Sequence, residues 1–253
     1  MEVVIVDRPE LVMADIIAEA IEGGIEGGAS TLGLATGSSP LATYTELIRR
    51  HRENGLSFAG VDAVLLDEYV GLPPTHPESY ARFIRDNFTD HIDIGTVHSP
   101  DGMAPDFKAA AEAYDALIGR LGPVDVQILG IGSNGHIGFN EPSSSLTSRT
   151  RIKTLTEKTR QDNARFFDSF DEVPMHVITQ GLGTICDAER LALVATGEGK
   201  ADAIAAAVEG PLSASCPASI LQWHRHATVV IDPAAASKLA DADYYKYVYA
   251  HKP

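Results

Sequence analysis

The sequence predicts an α/β fold, a Rossmann-like open, mainly parallel sheet with helices on both faces and a lid segment. Short apolar or β-branched runs alternate with helical stretches of about 10 to 15 residues, the pattern of βαβ units. The chain has 253 residues and is 44% hydrophobic, enough to bury a core. Polar, glycine-containing loops fall just after the strand-like runs, where ligands bind in such sheets.

Taken in order, residues 3–6 form a β-branched strand. Pro9 suits a helix start, and "ELVMADIIAEAIEGG" has helical spacing that Gly23-Gly24 is expected to stop. "STLGLAT" (30–36) reads as a buried strand, and "SPLATYTELIRRHRENG" as an amphipathic helix closed by Asn54-Gly55. "VDAVLLDEY" (61–69) reads as one strand. "PESYARFIRDNF" and "PDFKAAAEAYDALIGRLG" read as helices, and "VDVQILG" (124–130) as a strand. Beyond a basic stretch come the strand "RLALVAT", the helix "KADAIAAAVEG" and the strand "ATVVIDP". With no internal repeat or Ser/Gly-rich linker, residues 1–253 read as a single domain, with about 141–175 an insertion or lid over it.

A net charge of −15 argues against nucleic acid and anionic membranes as partners, because phosphates are repelled at long range. No apolar run approaches the roughly 18 to 20 residues of a membrane span. The N-terminus lacks the basic region and cleavage site of a signal peptide. Cys186 and Cys216 lie outside any C-x-x-C, which favours buried thiols in a reducing, cytoplasmic setting over a zinc or redox site. Arg149, Arg151, Lys153, Lys158, Arg160 and Arg165 concentrate six of the 20 basic residues in one stretch. Composition leaves two readings equal, a solvated helix face and a trap for a small anion.

Three loops carry chemistry. In "TGSSP" (36–40), Gly37 allows a tight turn, and Ser38 and Ser39 precede a helix whose free N–H groups attract an oxyanion. A serine N-cap explains the same residues. "LLDEYVG" (65–71) puts Asp67 and Glu68 at the end of a buried strand, where an ionised carboxylate needs a partner or a solvated cleft. One of them suits a general base; an Asp capping the next helix is the alternative.

"LGIGSNGHIGFNEP" (129–142) contains G-x-G-x-x-G after a strand, the dinucleotide fingerprint. That motif needs its third glycine inside a helix, and Gly138 and Pro142 do not suit one. It also needs an acidic residue about 20 positions on, ending a second strand. Only Glu157, in a basic, Thr-rich stretch, stands near there. The dinucleotide reading is therefore rejected. The loop instead gathers Asn134, His136, Asn140 and Glu141 between glycines.

Together, "TGSSP", "LDEYVGL" (66–72), "GHIGFNEP" (135–142), "SRTRIKTL" (148–155), "TRQDNARFF" (159–167), "ITQGLGTICDA" (178–188) and "EGPLSASCPASILQ" (209–222) resemble the glucosamine-6-phosphate deaminase family over nearly the whole chain. The related 6-phosphogluconolactonases tend to have Asp-Glu-Arg where this chain has Asp67-Glu68-Tyr69, and a different continuation after the His. A non-catalytic sugar-phosphate sensor would have no need to keep Asp67, His136 and Glu141 together.

The resemblance implies conversion of D-glucosamine 6-phosphate to D-fructose 6-phosphate and ammonia, with no metal or organic cofactor. It implies His136 as the ring-opening residue, Glu141 as its orienting partner and Asp67 as the group that moves a proton from C2 to C1. Asn134 stands where the best-known bacterial members have Asp, and is expected to orient His136. Phosphate would be held by Gly37, Ser38, Ser39, Arg165 and Lys200. Ser144, Ser145, Arg151 and Lys153 match positions at which some hexameric members bind an activator, N-acetylglucosamine 6-phosphate. Tyr244, Tyr245 and Tyr247 are the C-terminal candidates for that site.

Overall fold

Seven parallel strands form the central sheet, in the spatial order β1 (Glu2–Ile5), β10 (Ala227–Ile231), β9 (Leu191–Ala195), β6 (Val126–Leu129), β2 (Ser30–Leu34), β3 (Val61–Leu65) and β5 (Val97–His98). The computed structural model describes residues 1–26 and 30–252. Every residue of β2, β6 and β9 is buried, as in a parallel sheet covered on each side by helices. Gln127, polar within β6, donates to Ile128 O at 2.9 Å. Its room comes from Gly33 on β2, where a Cβ would overlap the Gln127 side chain.

Helices pack around this sheet. α1 (Pro9–Glu26) lies against β2, β6, β9 and β10, and α2 (Leu41–Asn54) packs on α1 and on α3 (Tyr80–Asn87). α4 (Phe107–Leu121) is pinned by the Tyr114 hydroxyl, 2.8 Å from Leu65 O and 3.0 Å from His98 O. After α6 (Leu182–Cys186) and α7 (Ala201–Val208), α8 (Ala242–Ala250) packs on β1. Among the described residues no helix is long and apolar enough to cross a membrane.

Two elements depart from the sequence reading. α1 does not stop at Gly23-Gly24 but runs on to Glu26. A Cβ on Gly24 would stand 2.8 Å from the Ser30 side chain and 2.9 Å from Asp125, so this glycine permits close helix–strand packing. Its propensity cost of about 1 kcal/mol is offset by the fully buried Ile17 and Ile21 on the same helix.

The run "VDAVLLDEY" is two strands in two sheets. Leu66 still bonds back to Leu34 O at 3.1 Å, but its own carbonyl accepts from Gln180 N at 2.8 Å. The chain then enters a three-stranded antiparallel sheet of β4 (Asp67–Tyr69), β8 (His176–Thr179) and β7 (Arg151–Thr154). Stretch 141–175 thus supplies β7 and α5 (Glu157–Asn163).

Strand order fixes where a ligand fits. From β2 the chain builds outward to β3 and β5, then returns to place β6 on the other side of β2 and continues to β9 and β10. The loops after β2 and β6 therefore leave in opposite directions, opening a crevice at the carboxyl ends of these strands.

Candidate active site

That crevice holds a cleft of about 430 Å³, bordered by Gly37, Ser38, Ser39, Asp67, His136, Arg165 and Lys200. Gly37 turns the chain after β2 with φ +87°. Pro40, at the N-cap of α2, already has helical dihedrals, and no side chain caps that helix. The serine-cap alternative is thus not realised; Ser38 and Ser39 border the cleft instead.

Lys200, in the 3₁₀ turn Glu198–Lys200, donates to Ile131 O at 2.7 Å. Arg165, in the turn Ala164–Phe166, lies 4.7 Å from the Phe166 ring centroid. Arg165, Lys200 and the glycine-serine turn thus border one cleft in an acidic protein. Gly130 lies beside Ser39, a would-be Cβ there standing 3.5 Å from the serine Cβ, so the turn abuts the loop that carries His136.

Asp67 and Glu68 separate because alternate strand residues face opposite ways. Asp67 borders the cleft, only 4% exposed, and burial followed by the neighbouring Glu68 charge pushes its pKa well up. Gly138, with φ +54°, lets the loop pass close by: a Cβ there would lie 3.4 Å from Asp67 Oδ2 and 3.2 Å from Thr179 Oγ1. Glu68 accepts from the N–H groups of Tyr69 at 2.8 Å, Tyr80 at 2.9 Å and Ala81 at 2.9 Å. The helix-capping carboxylate at α3 is therefore Glu68, not Asp67, and its neighbour is left to the cleft. Burial raises the Glu68 pKa, and these three donors oppose the rise.

His136 and Glu141 do not bond directly, Nδ1 lying 3.7 Å from Glu141 Oε2. Asn134 stands between them, its Nδ2 2.6 Å from Glu141 Oε2 and its Oδ1 2.7 Å from His136 Nδ1. Glu141 therefore reaches the imidazole across 3.7 Å and, by hydrogen bonds, through the Asn134 amide. Burial pushes the Glu141 pKa up, but His136, Thr159 and Asn134 together hold it at about 2.

An ionised carboxylate only accepts, so Asn134 must present its NH2 to Glu141 and its carbonyl to His136. The His136 backbone N–H, 3.2 Å from Asn134 Oδ1, requires the same orientation. Asn134 Oδ1 thus faces Nδ1 as an acceptor, which favours the proton on that nitrogen. Gly132 makes room for this ring, since a Cβ there would overlap it.

Of the six clustered cations, only Arg165 reaches the cleft. Arg149 pairs with Asp115 and Asp187, Arg151 donates to Asn140 Oδ1 at 2.9 Å, and Arg160 donates to Val173 O at 2.9 Å. Arg151 and Lys153 share one face of β7. Ser145 is exposed and Ser144 buried, with no hydrogen-bond partner for its hydroxyl among the described residues. Tyr244 and Tyr247 are exposed on α8, and Tyr245 packs toward the core. Among the described residues no three His, Cys, Asp or Glu side chains gather to hold a metal.

Sequence reasoning missed Tyr69, Tyr80, Thr159 and Asn163, which also border the cleft. Asn163 donates to the Tyr69 hydroxyl at 2.9 Å, and Thr159 donates to Glu141 Oε1. The signal lay in "TRQDNARFF", where Thr159 and Asn163 are four residues apart and so share a helix face.

Comparison with known proteins gives the family and the fold. Residues 9–230 match the family described as glucosamine-6-phosphate isomerases/6-phosphogluconolactonase. A glucosamine-6-phosphate deaminase of Rhodococcus jostii is 62% identical over 100% of this chain and 98% of its own. One of Streptomyces coelicolor is 56% identical with the same coverage. A solved structure described as a monomeric glucosamine-6-phosphate deaminase superposes with a TM-score of 0.90 at 44% identity, over 94% of this chain and 100% of that one. A 6-phosphogluconolactonase from Shewanella baltica, at 19% identity and a TM-score of 0.74 over 92% of this chain and 97% of its own, shares the fold.

Proposed function

The chain belongs to the glucosamine-6-phosphate isomerase/6-phosphogluconolactonase family, and from that premise we infer that it is an enzyme of the deaminase branch. It converts D-glucosamine 6-phosphate and water to D-fructose 6-phosphate and ammonia, an aldose–ketose isomerisation coupled to loss of the 2-amino group. The observation that carries this reading is one cleft bordered by a buried carboxylate, Asp67, an imidazole, His136, the Gly37–Ser39 turn and the cations Arg165 and Lys200.

In this mechanism Ser38, Ser39, Arg165 and Lys200 hold the phosphate. His136 moves a proton between the ring oxygen and the C1 hydroxyl, opening the sugar; with Nδ1 facing Asn134, Nε2 is the nitrogen left for that exchange. Asp67 then takes the C2 proton and returns it at C1. Its seclusion from water favours the neutral carboxyl between the two transfers, which supports a shuttle that must both accept and donate. Hydrolysis of the resulting imine releases ammonia. The 141–175 segment serves as a lid in this reading, since α5 and the turn bearing Arg165 border the cleft. Cytoplasmic residence follows from the cysteine usage and the metabolic substrate.

Ammonia release from glucosamine 6-phosphate by the purified protein, without added metal, tests the reaction. Hydrolysis of 6-phosphogluconolactone with no ammonia from the amino sugar would place the chain with the lactonases instead.

A second reading, activation by N-acetylglucosamine 6-phosphate in a hexamer, is favoured by one observation: the buried Ser144 hydroxyl, without a hydrogen-bond partner among the described residues, in the segment leading to Arg151 and Lys153. It requires sigmoidal kinetics that the acetylated sugar phosphate makes hyperbolic. Hyperbolic kinetics indifferent to that compound would remove it.

A further inference from the structure

We propose that Thr159 is a positioning residue for His136: acting through Glu141 and Asn134, it holds the imidazole in the Nδ1–H form with Nε2 as the base. The proposal rests on the reading of His136 as the ring-opening residue.

The hydrogen-bond directions along this path are forced one after another. Glu141, 6% exposed and ionised, can only accept. The single hydroxyl proton of Thr159 therefore goes to Glu141 Oε1. Thr156, whose Oγ1 lies 2.9 Å from Thr159 Oγ1, must then donate to Thr159, while it accepts from Thr159 N at 3.1 Å as the N-cap of α5. With Oε1 pinned, Oε2 remains for the Asn134 amide, whose carbonyl then faces Nδ1 of His136. Asn134 is itself exposed, so its orientation depends on the buried carboxylate behind it.

Thr159 also belongs to a short helix with two other tasks at the cleft. Asn163, one turn on, bonds the Tyr69 hydroxyl beside Asp67, and Arg165 follows in the next turn. The segment expected to bind phosphate is thus the segment that pins Glu141. Removing the Thr159 hydroxyl leaves a buried carboxylate oxygen without its donor, the costly kind of loss, and frees Glu141 to turn. The helix cap and the position of Arg165 do not depend on that hydroxyl.

The test uses the full chain as wild type, Thr159→Val and Thr159→Ser. Thr159→Val is expected to lower kcat about tenfold or more, in the range of a disturbed acid–base group, with KM and the inhibition constant of inorganic phosphate nearly unchanged. Thr159→Ser, which restores the hydroxyl, is expected to recover most of kcat. Nitrogen-15 spectra of the histidines, with the His136 signal identified by its absence in His136→Gln, should show Nδ1–H in the wild type and a mixture of tautomers in Thr159→Val.

An Nε2–H imidazole in the wild type would overturn the bond directions whatever the substrate is. An unchanged kcat in Thr159→Val, or a loss of kcat matched by an equal loss of phosphate binding, would overturn the positioning role. If the wild type releases no ammonia, the functional reading fails, while the spectra still decide the tautomer.

Discussion

The carbonyl oxygen of Asn134 lies 2.7 Å from Nδ1 of His136, and the other end of the same amide reaches Glu141 at 2.6 Å. An amide is suited to this place because it offers an acceptor to one neighbour and a donor to the other. Asn134→Asp keeps the acceptor but sets two carboxylates face to face, so the pair must share a proton and titrate together. Activity within about tenfold of wild type is expected, falling earlier on the alkaline side as the shared proton leaves. Asn134→Ala leaves Nδ1 without an acceptor, and kcat should drop about a hundredfold. Steady-state kinetics across pH check both; a fully active Asn134→Ala would show that the amide is dispensable.

Asp67→Asn should lose about 10³-fold or more in kcat, since an amide cannot take the C2 proton. The same substitution should make the protein more stable at neutral pH. The folded-state pKa of Asp67 is raised, so the native state binds more protons than the unfolded chain between the ordinary carboxylate value and the shifted one. Stability from this group therefore falls as pH rises through that window. Asn removes the penalty, and Tm should rise about 2–4 °C per kcal/mol relieved. Thermal melts at pH 5 and pH 8 check the sign, with the difference between variant and wild type larger at pH 8.

A base must be ionised, so the acid limb of kcat/KM should lie above the ordinary carboxylate range. Burial is the larger cause and the Glu68 charge the next. Glu68→Gln removes that charge and should move the limb to lower pH. It also sets an amide NH2 against a donor of the three-N–H cradle at α3, costing about 1–3 kcal/mol. A pH–rate profile beside a denaturant titration separates the two effects; a limb that stays in place would show that Glu68 does not act on Asp67.

Gly132→Ala should disable the enzyme while sparing phosphate binding. A Cβ at this position overlaps the imidazole of His136, which must move, and a displacement of about 1 Å can cost roughly 10²-fold. Gly130→Ala meets Ser39 only at ordinary contact distance, 3.5 Å, and should have a much smaller effect. Comparing kcat and the inhibition constant of inorganic phosphate in the two variants tests the assignment; equal kcat losses would point to crowding of the sugar instead.

What the sequence by itself determined was local. Near-continuous apolar runs such as "STLGLAT" and "RLALVAT" fix strands because apolar residues on both faces require cover on each side. Gly55, left-handed at φ 76°, ends α2 because a residue without Cβ adopts that conformation freely. Gly37, Ser38, Ser39, Asp67 and His136, which border the cleft, stood out in the sequence as a glycine and polar groups at strand ends, whereas Arg165 and Lys200 came with the family resemblance.

Tertiary structure decided everything that depended on a distant partner. Leu66 leaves the parallel sheet because Gln180, far along the chain, captures its carbonyl. Glu68 rather than Asp67 accepts from the first N–H groups of α3, beside the Ser79 N-cap, because α3 arrives on its side of β4. Arg149, Arg151 and Arg160 are engaged by Asp115, Asp187, Asn140 and Val173, and of the six clustered cations Arg165 borders the cleft. Asn134 came between His136 and Glu141 because the loop folds back on itself and Thr159 meets its far end. Hydrogen-bond direction is set by which donor faces which acceptor in space, and no spacing along a chain encodes that by itself.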